Sequence, residues 1–455
     1  MQICGLTNHG RRGEENTMSE KTILVWFRND LRVHDNEILF EAIRKADKIL
    51  PVYCFDPFYF NTTSSGLLKT GNIRALFLLE SDANLRHNLQ KLGGDLIIRT
   101  GNPAEIIPQL AQQYEVSEVY HHREVAFEET EISEAVETAL WKIKLNLKHF
   151  IGHTLYHKED LPFPIKDIPD SFATFKKKIE RDSDVRPCIE TPQHIDTPEI
   201  IDAGNVPTLG ELGLTDPDTD PRSDFTYEGG ETVALQQMHQ YILSLDNMPA
   251  HKGARHMSEF PSRLSAWISL GCLSQRMVYH EVTKHANGAH ASGSPLILEL
   301  LWRDYFRFMF KKYGKQFFNI ERFNSETPEL ADNQDGLLEL WKSGHTGVPF
   351  VDAAMHELNA TGYIANNKRQ VVAAFLVNTL KVDWTKGAAY FEEKLIDYSP
   401  ASNWGNWAFI AGVANDARDN RYFSGIKHAE KLETESDFIS TWLPEINDSN
   451  SLIAV

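Results

Sequence analysis

The chain has 455 residues, 42% of them hydrophobic, and a formal net charge of −18. This length can bury a large core and predicts two or three domains, whereas the acidic balance argues against strong non-specific binding to duplex DNA. No apolar run reaches the roughly 18 residues of a membrane span and the N-terminus holds no signal-peptide core, so we expect a cytoplasmic monomer.

The first third of the chain alternates apolar bursts with longer amphipathic segments. The bursts are typical of strands and lie at residues 22–27, 48–55, 95–99 and 116–121. Asp35 is a plausible N-cap for the first intervening helix, and the second helix should stop near Gly93. Strand and helix in this rhythm predict a doubly wound parallel sheet. No G-x-G-x-x-G follows the first strand, so an ordinary dinucleotide site is not predicted.

The composition changes twice further along the chain. Residues 152–230 are rich in Pro, Asp, Thr and Gly, which is typical of a connector. From Glu231 onward helical periodicity dominates, for example at residues 296–312 and 370–380, and predicts an all-α half. The predicted plan is a disordered extension at 1–20, an α/β domain at 21–150, a connector at 151–230, a helical domain at 231–443 and a tail at 444–455.

The helical half contains a possible anion site. Ser262, Arg263, Leu264 and Ser265 precede an amphipathic segment, where hydroxyl and backbone N–H groups can meet a diphosphate at a helix N-terminus. Simple helix capping is the more common role of such a run. The four cysteines are too far apart for a C-x-x-C motif, so no metal site is expected.

Two further groups combine carboxylates with aromatic rings. Glu299, Trp302 and Arg303 share one side of a predicted helix, where an acid beside an indole can read a flipped base. An apolar stripe with charged ends is the ordinary alternative. A carboxylate, an amide and an indole stand close together in the sequence at Asp397, Asn403 and Trp407. Such a group suits a redox cofactor, but tryptophans in a helical segment also pack in protein cores.

These groups resemble the photolyase/cryptochrome flavoproteins, and among them the DASH cryptochromes. The likeness includes the opening motif Trp26–Arg32 and runs from about Lys21 to Leu443. It implies an α/β domain with a doubly wound parallel sheet plus a large all-α C-terminal FAD-binding domain. It also implies a folate antenna, 5,10-methenyltetrahydrofolate, held by Glu124; a solvated helical face is an equally good interpretation of that residue.

The resemblance implies light-driven repair of cyclobutane pyrimidine dimers, preferentially in UV-damaged single-stranded DNA. The cofactor carries the electron chemistry. Extruding a base costs least where pairing is absent, so a preference for single strands suits an acidic surface. A blue-light receptor that binds FAD and nucleic acid without efficient repair is the first alternative. A light-independent nucleotide-binding flavoprotein is the second.

The resemblance also implies roles for single residues. The implied catalytic residues are Glu299, Trp302, Asn403, Trp407 and Trp384. The implied FAD contacts are His251, Ser262, Arg263, Leu264, Ser265, Glu299, Arg303, Asn366, Arg369, Asp397 and Asn403. The implied DNA contacts are Arg255, Trp302, Tyr363, Asn366, Asn367 and Gln370. Trp407 and Trp384 would begin an electron-hopping chain, and Asn403 would face the flavin.

The sequence departs from the family pattern at three places that matter for function. A distal tryptophan is expected near Ala331 and is missing, so photoreduction would use another aromatic, for example Tyr313 or Trp267. His251 stands where the family has a tyrosine at the adenine side. Asn367 replaces an arginine, which puts one DNA backbone contact in question.

Overall fold

The computed structural model describes residues 20–245, 262–285, 294–314, 317, 330–413 and 436–444. His251 and Arg255 lie outside the described residues. The predicted extension and tail lie almost entirely outside them as well, and the predicted domain boundaries stay predictions.

The N-terminal sheet has five parallel strands in the order β3-β2-β1-β4-β5. The strands are β1 (Thr22–Phe27), β2 (Lys48–Phe55), β3 (Ile97–Thr100), β4 (Glu118–His122) and β5 (Leu147–Phe150). The bounds predicted for β1 and β2 agree with the structure, and those predicted for β3 and β4 differ from it by one or two residues. The strand β5 was not predicted. The strands β2 and β3 are added on one side of β1, and β4 and β5 on the other. Such a change of side leaves a crevice at the carboxyl ends of β1 and β4.

Four helices cover this sheet: α1 (Glu37–Lys45), α2 (Asn72–Lys91), α3 (Pro103–Gln113) and α4 (Phe127–Lys142). The predicted N-cap of α1 was wrong by one residue, because Asn36 accepts the capping hydrogen bond from the Leu39 N–H. Asp35 has a positive φ of 44° and pairs with Arg276 of the helical half over 2.6 Å. The Asp35 carboxylate therefore does not cap α1 but links the α/β half to the helical half.

The connector is more structured than its composition indicates. It contains helix α5 (Phe172–Asp182), which packs against the long helix that carries Glu299. The Ile195 N–H donates to the Leu92 carbonyl over 2.8 Å, and the Asp196 carbonyl accepts from the Ile49 N–H over 2.8 Å. The connector is thus hydrogen-bonded to the α/β domain and is not a flexible linker over these residues.

The rest of the described chain is helical. Its helices are α6 (Glu231–Leu245), α7 (Ser265–Ser269), α8 (Gln275–His285), α9 (Pro295–Tyr313), α10 (Gln334–Lys342), α11 (Pro349–Thr361), α12 (Asn366–Ala374), α13 (Trp384–Lys394), α14 (Pro400–Ile410) and α15 (Ser436–Trp442). A π-helical turn, Phe375–Thr379, continues α12. The α/β plus all-α fold class is confirmed. Across the described part of the chain, no helix is both long and apolar enough to cross a membrane.

Arg74 of α2 joins the α/β half to the helical half. Its buried guanidinium donates to the carbonyls of Glu392 over 2.6 Å and Leu395 over 3.1 Å. The same guanidinium also lies 4.6 Å from the centre of the Tyr398 ring. This contact holds the segment between α13 and α14, which leads directly into the candidate site.

Candidate functional site

A buried ion pair forms the centre of the site. Arg369, near the start of α12, donates to one oxygen of Asp397 over 2.8 Å and to the Ile364 carbonyl over 2.7 Å. The carboxylate stands in the turn before α14, and its side chain is only 4% exposed. The two charges therefore form one enclosed pair and not two separate surface charges.

Glu299 of α9 lies within electrostatic reach of this ion pair. The residue is exposed to solvent, yet the surrounding protein raises the pKa of its carboxyl. The Arg369 charge opposes that increase and the Asp397 charge adds to it. Helices that are distant in sequence therefore bring the implied repair acid to the implied flavin pair.

Asn403 and Trp407 lie on the inner face of α14. The Asn403 amide is 7% exposed and its Nδ2–H donates to the Ala388 carbonyl of α13 over 2.9 Å, which fixes the orientation of the amide. The Trp407 ring is 2% exposed, and a Cβ on Gly387 would lie 2.4 Å from it. Gly387 thus permits the close packing of α13 and α14.

Trp302 belongs to an aromatic cluster. Its ring stacks on Phe172 of the connector with centroids 3.6 Å apart and planes 9° apart. Phe409 meets it edge-on at 5.6 Å and is 42% exposed. One face of the indole is therefore already covered, and Phe409 offers an exposed ring beside it. Sequence reasoning missed Phe409, because helical periodicity does not identify which phenylalanine in an apolar helix faces solvent.

The remaining implied FAD contacts do not all face this centre. Arg263 has a positive φ of 53°, binds Asp224 over 2.8 Å and lies 4.8 Å from the centre of the Phe225 ring. Ser262 and Ser265 are half-buried on either side of the fully buried Leu264. Arg303 donates to the His153 carbonyl and lines the crevice toward the α/β domain. Burial lowers the pKa of Arg303 to about 9.

The implied DNA contacts on α12 share an accessible edge. Asn366 and Gln370 are exposed and stand one helical turn apart, and Asn367 is half-buried beside them. Tyr363 packs at 5.4 Å against Tyr227, which the sequence did not single out. Tyr363 lies beside the ion pair, because the Arg369 guanidinium stands 5.3 Å from the centre of its ring.

The polar atoms at the centre fit a flavin. In the described part of the chain, Asp397 Oδ1, the Tyr227 hydroxyl and Ser402 Oγ are buried without hydrogen-bond partners. Buried polar atoms normally have partners, so the first two, which interact electrostatically with the Arg369 guanidinium, indicate a polar ligand held beside it. Ser402 precedes Asn403 on α14. A flavin presents both donors and acceptors along its ring edge and side chain. Tyr227 and Ser402 could be found only from the tertiary structure, since each is unremarkable in sequence.

Glu124 lies in a buried network beside the crevice. Its carboxylate is 3% exposed and accepts from Asn29 and Arg307, each over 2.9 Å. Burial raises the pKa of this carboxyl, but His153, Arg307 and Arg28 together hold it below its ordinary value. Glu124 precedes α4, so the alternative of a solvated helical face is wrong. Its partners Asn29 and Arg307, and not Glu124 itself, line the crevice.

The crevice between the two halves encloses a cavity of about 130 Å³ at the carboxyl ends of β1 and β2. Its cationic side chains are Arg28, Lys69, Arg74, Arg303 and Arg307, and its carboxylates are Asp56, Glu128, Glu129 and Glu392. Aromatic rings lie between these charged groups, so the lining suits a planar ligand that carries polar or charged substituents.

Glu129 makes stability depend on pH. Burial, followed by the charge of Glu124, raises the pKa of its carboxyl to about 7. A raised folded-state pKa contributes stability that is complete below the unfolded value of about 4.3 and is lost as the pH rises through 7. The free energy of unfolding of the wild type should therefore fall between about pH 5 and pH 8. In Glu129→Gln this fall should be smaller by roughly 1 kcal/mol or more.

Urea unfolding at the two pH values measures this effect. Glu134→Gln, an exposed change on the same helix, should keep the wild-type slope. An unchanged slope in Glu129→Gln would contradict the assignment. Asp304, whose pKa burial raises to about 7, adds a slope of the same sign in both variants.

The fold and the site together define a class of protein: an α/β domain joined to a photolyase-type helical FAD-binding domain. A model of the FAD binding domain of DNA photolyase matches residues 296–454, and a DNA photolyase model matches residues 23–197. The chain is 42% identical to the cryptochrome DASH of Gloeobacter violaceus, over 94% of this chain and 87% of that one. It is 41% identical to the cryptochrome DASH of Xenopus laevis, over 94% and 83%.

Solved structures agree with these matches. A cryptochrome from Synechocystis sp. PCC6803 superposes with a TM-score of 0.87 at 40% identity, over 94% of this chain and 89% of that chain. An archaeal photolyase from Sulfolobus tokodaii, solved with two FAD molecules, gives 0.77 at 26% identity, over 94% and 91%. The chain therefore belongs to the photolyase/cryptochrome family, with the DASH cryptochromes among its relatives.

Proposed function

We propose that the protein is a blue-light-dependent FAD flavoprotein that repairs cyclobutane pyrimidine dimers, preferentially in single-stranded DNA. It would act as a monomer. The observation that carries this proposal is the enclosed Arg369–Asp397 pair within electrostatic reach of Glu299. Asn403 lies on α14, which packs against both α9 and α12, and the rings of Trp302 and Phe409 meet edge-on where α9 and α14 pack.

The chain's own residues would bind and orient, while FAD supplies light absorption and the transferable electron when bound. Arg369 would place a positive charge beside the ring system, with Asp397 holding that guanidinium in position. Asn403 would present its amide in one orientation, because Ala388 accepts its N–H. Burial raises the pKa of the Glu299 carboxyl, and in its protonated form this group can donate a hydrogen bond to a pyrimidine carbonyl.

DNA would approach along the exposed edge of α12. Asn366 and Gln370 offer uncharged polar contacts there, and Tyr363 stands beside them. The net charge of −18 weakens affinity for intact duplex. Single-stranded DNA avoids the cost of breaking base pairs before the dimer enters the pocket.

A folate antenna would occupy the crevice. Its cationic and aromatic lining suits the conjugated ring and carboxylates of 5,10-methenyltetrahydrofolate. Glu124 would act by holding Asn29 and Arg307 in place at the wall. A second FAD is a competing ligand for the antenna role, because the Sulfolobus tokodaii photolyase holds two FAD molecules.

One observation favours a second candidate function, a blue-light receptor that binds FAD and nucleic acid without efficient repair. Phe172 covers a face of the Trp302 indole that a pyrimidine dimer would otherwise use for stacking. If Phe172 holds that position, lesion binding is weak and photochemistry is intact.

An absorption spectrum before and after blue light, followed by repair of a dimer-containing single-stranded oligonucleotide, separates these functions. Flavin bands that bleach, together with loss of dimers, support the repair proposal. Bleaching without repair supports the receptor. A flavin-loaded sample without photochemistry supports the light-independent flavoprotein, and the same spectrum reveals any folate band.

Glu299→Gln tests the repair role directly. It keeps the size of the side chain but removes the acid, so repair per absorbed photon should fall by about 10²-fold if the proton is donated there. Flavin content should not change. Glu281→Gln, at an acid of α8 whose side chain is 43% exposed, is the matched control. Normal repair by Glu299→Gln would exclude this glutamate from the lesion pocket.

A further inference from the structure

A row of aromatic rings joins two cations of the candidate FAD site. The Arg263 guanidinium lies 4.8 Å from the centre of the Phe225 ring, and the centroids of the Phe225 and Tyr227 rings are 4.7 Å apart. The Tyr227 and Tyr363 rings are 5.4 Å apart, and the Arg369 guanidinium lies 5.3 Å from the centre of the Tyr363 ring. Tyr227 is therefore the middle member of a row that begins at one cation and ends at the other.

The two ends of this row suit different parts of FAD. Arg263 belongs to the run from Ser262 to Ser265, whose hydroxyl and cationic groups suit the diphosphate. Arg369 pairs with Asp397 over 2.8 Å, and this pair suits the polar edge of the ring system. In FAD the ribityl chain, which carries hydroxyl groups, connects the ring system to the diphosphate. The middle of the row would therefore lie nearest the ribityl chain.

The Tyr227 hydroxyl is available to bind this chain. Its oxygen is buried and has no hydrogen-bond partner among the residues that the structure describes. Burial, with smaller effects from Tyr363 and the Asp397 charge, raises the pKa of the phenol well above its ordinary value, so the phenol keeps its proton and can donate it. A buried hydroxyl without a partner destabilises the folded protein. Such a cost is expected where a ligand supplies the partner.

The contacts around Tyr227 hold its ring in place. The Trp267 ring lies 5.5 Å from it, and the Trp267 indole N–H donates to the carbonyl of the next residue, Glu228, over 3.0 Å. The Gly229 N–H donates to the Glu80 carboxylate over 2.7 Å. This part of the connector is therefore a fixed wall beside the candidate FAD site.

We propose that the Tyr227 hydroxyl donates a hydrogen bond to the ribityl chain of FAD. This inference rests on the FAD binding in the proposed function. Tyr227 would then fix the chain that links the ring system to the diphosphate. Because reduction of a flavin changes the ring system and not the ribityl hydroxyls, Tyr227 should bind the oxidised and the reduced cofactor equally well.

Titration of the flavin-free protein with FAD in the dark measures this contact. Tyr227→Phe should raise the dissociation constant of oxidised FAD about tenfold, because a ribityl hydroxyl then lacks its partner. Without flavin, the urea midpoint of the same variant should rise, since an unpartnered hydroxyl has been removed from the interior. An unchanged dissociation constant, or a lower midpoint without flavin, would overturn the proposal.

Tyr114→Phe is the matched control. The Tyr114 hydroxyl is likewise buried without a partner in the described part of the chain, but it stands at the end of α3 in the α/β domain. Its removal should also raise the urea midpoint and should leave the dissociation constant of FAD unchanged. Equal losses of FAD affinity in the two variants would contradict a specific role of Tyr227.

Two further titrations locate the contact on the cofactor. Dithionite-reduced FAD should lose affinity for Tyr227→Phe by the same factor as oxidised FAD, so the reduction potential of the bound flavin should not change. An FAD analogue with an alkyl chain in place of the ribityl hydroxyls should bind the wild type and Tyr227→Phe equally. A loss confined to one redox state, or a loss that persists with the analogue, would exclude the ribityl chain as the partner.

These titrations use neither light nor DNA, so their outcome is independent of repair. Weaker FAD binding by Tyr227→Phe, in a protein that repairs no dimers, would support the contact while the repair proposal fails. Equal FAD binding by the wild type and Tyr227→Phe, with normal repair, would overturn the contact alone.

Discussion

Asp397→Asn should unfold with a free energy lower by about 3 kcal/mol and should retain little flavin. The change leaves the Arg369 guanidinium largely enclosed beside a neutral amide, and loss of one partner of a buried ion pair costs about 3–5 kcal/mol. The amide still accepts one hydrogen bond, which keeps the expected loss at the lower end of that range. Urea unfolding of the flavin-free protein measures the first effect, and absorption of the purified protein measures the second.

Asp335→Asn is the matched control for this prediction. Asp335 pairs with Lys386 over 2.6 Å, but its side chain is 90% exposed. Loss of such a surface pair should change stability by less than about 1 kcal/mol and leave flavin content unaltered. If Asp397→Asn matches this control in both measurements, the buried pair does not determine the flavin site.

Arg74→Met should destabilise the protein by about 3–5 kcal/mol, because it removes the donor for several buried acceptors at once. The carbonyls of Glu392 and Leu395 would lose their guanidinium contact, as would Thr70 Oγ1 at 3.2 Å. Methionine retains much of the apolar stem, so the loss reports on the polar contacts. Urea unfolding followed by circular dichroism measures it.

Arg44→Met separates this effect from a general loss of charge. Arg44 lies on α1, is 59% exposed and pairs only with Glu41 of the same helix among its described contacts. Its replacement should change the free energy of unfolding by less than about 0.5 kcal/mol. Equal losses in the two variants would contradict the view that Arg74 joins the two halves.

Much of the α/β domain could be predicted because its signals are local. A run such as Thr22–Phe27 is apolar on both faces, which is characteristic of a central parallel strand, and its bounds agree with β1. The strand β5 was not predicted because its Leu147–Phe150 segment is short and places a half-buried lysine and histidine between its two buried residues. Asp35 and Asn36 are equally good caps in sequence, and only the positive φ of Asp35 decided between them.

The candidate site likewise contains residues that the sequence identified and contacts that it did not. Resemblance to a family named Glu299, Arg369, Asp397 and Asn403 in advance. The structure pairs Arg369 with Asp397 and brings both within electrostatic reach of Glu299. The resemblance could not show that Arg303 turns toward the crevice, since a helix face does not specify which neighbour it meets.

The fold class and the membership in a flavoprotein family could be recognised from the sequence, because hydrophobic periodicity and motif spacing lie along the chain. The stacking of Phe172 on Trp302 and the hydrogen bond from Trp404 to Tyr398 are visible only in the tertiary structure. Contacts of this kind join segments far apart in sequence or depend on how a turn is packed. Their geometry is set by the packing of whole helices and not by any local pattern.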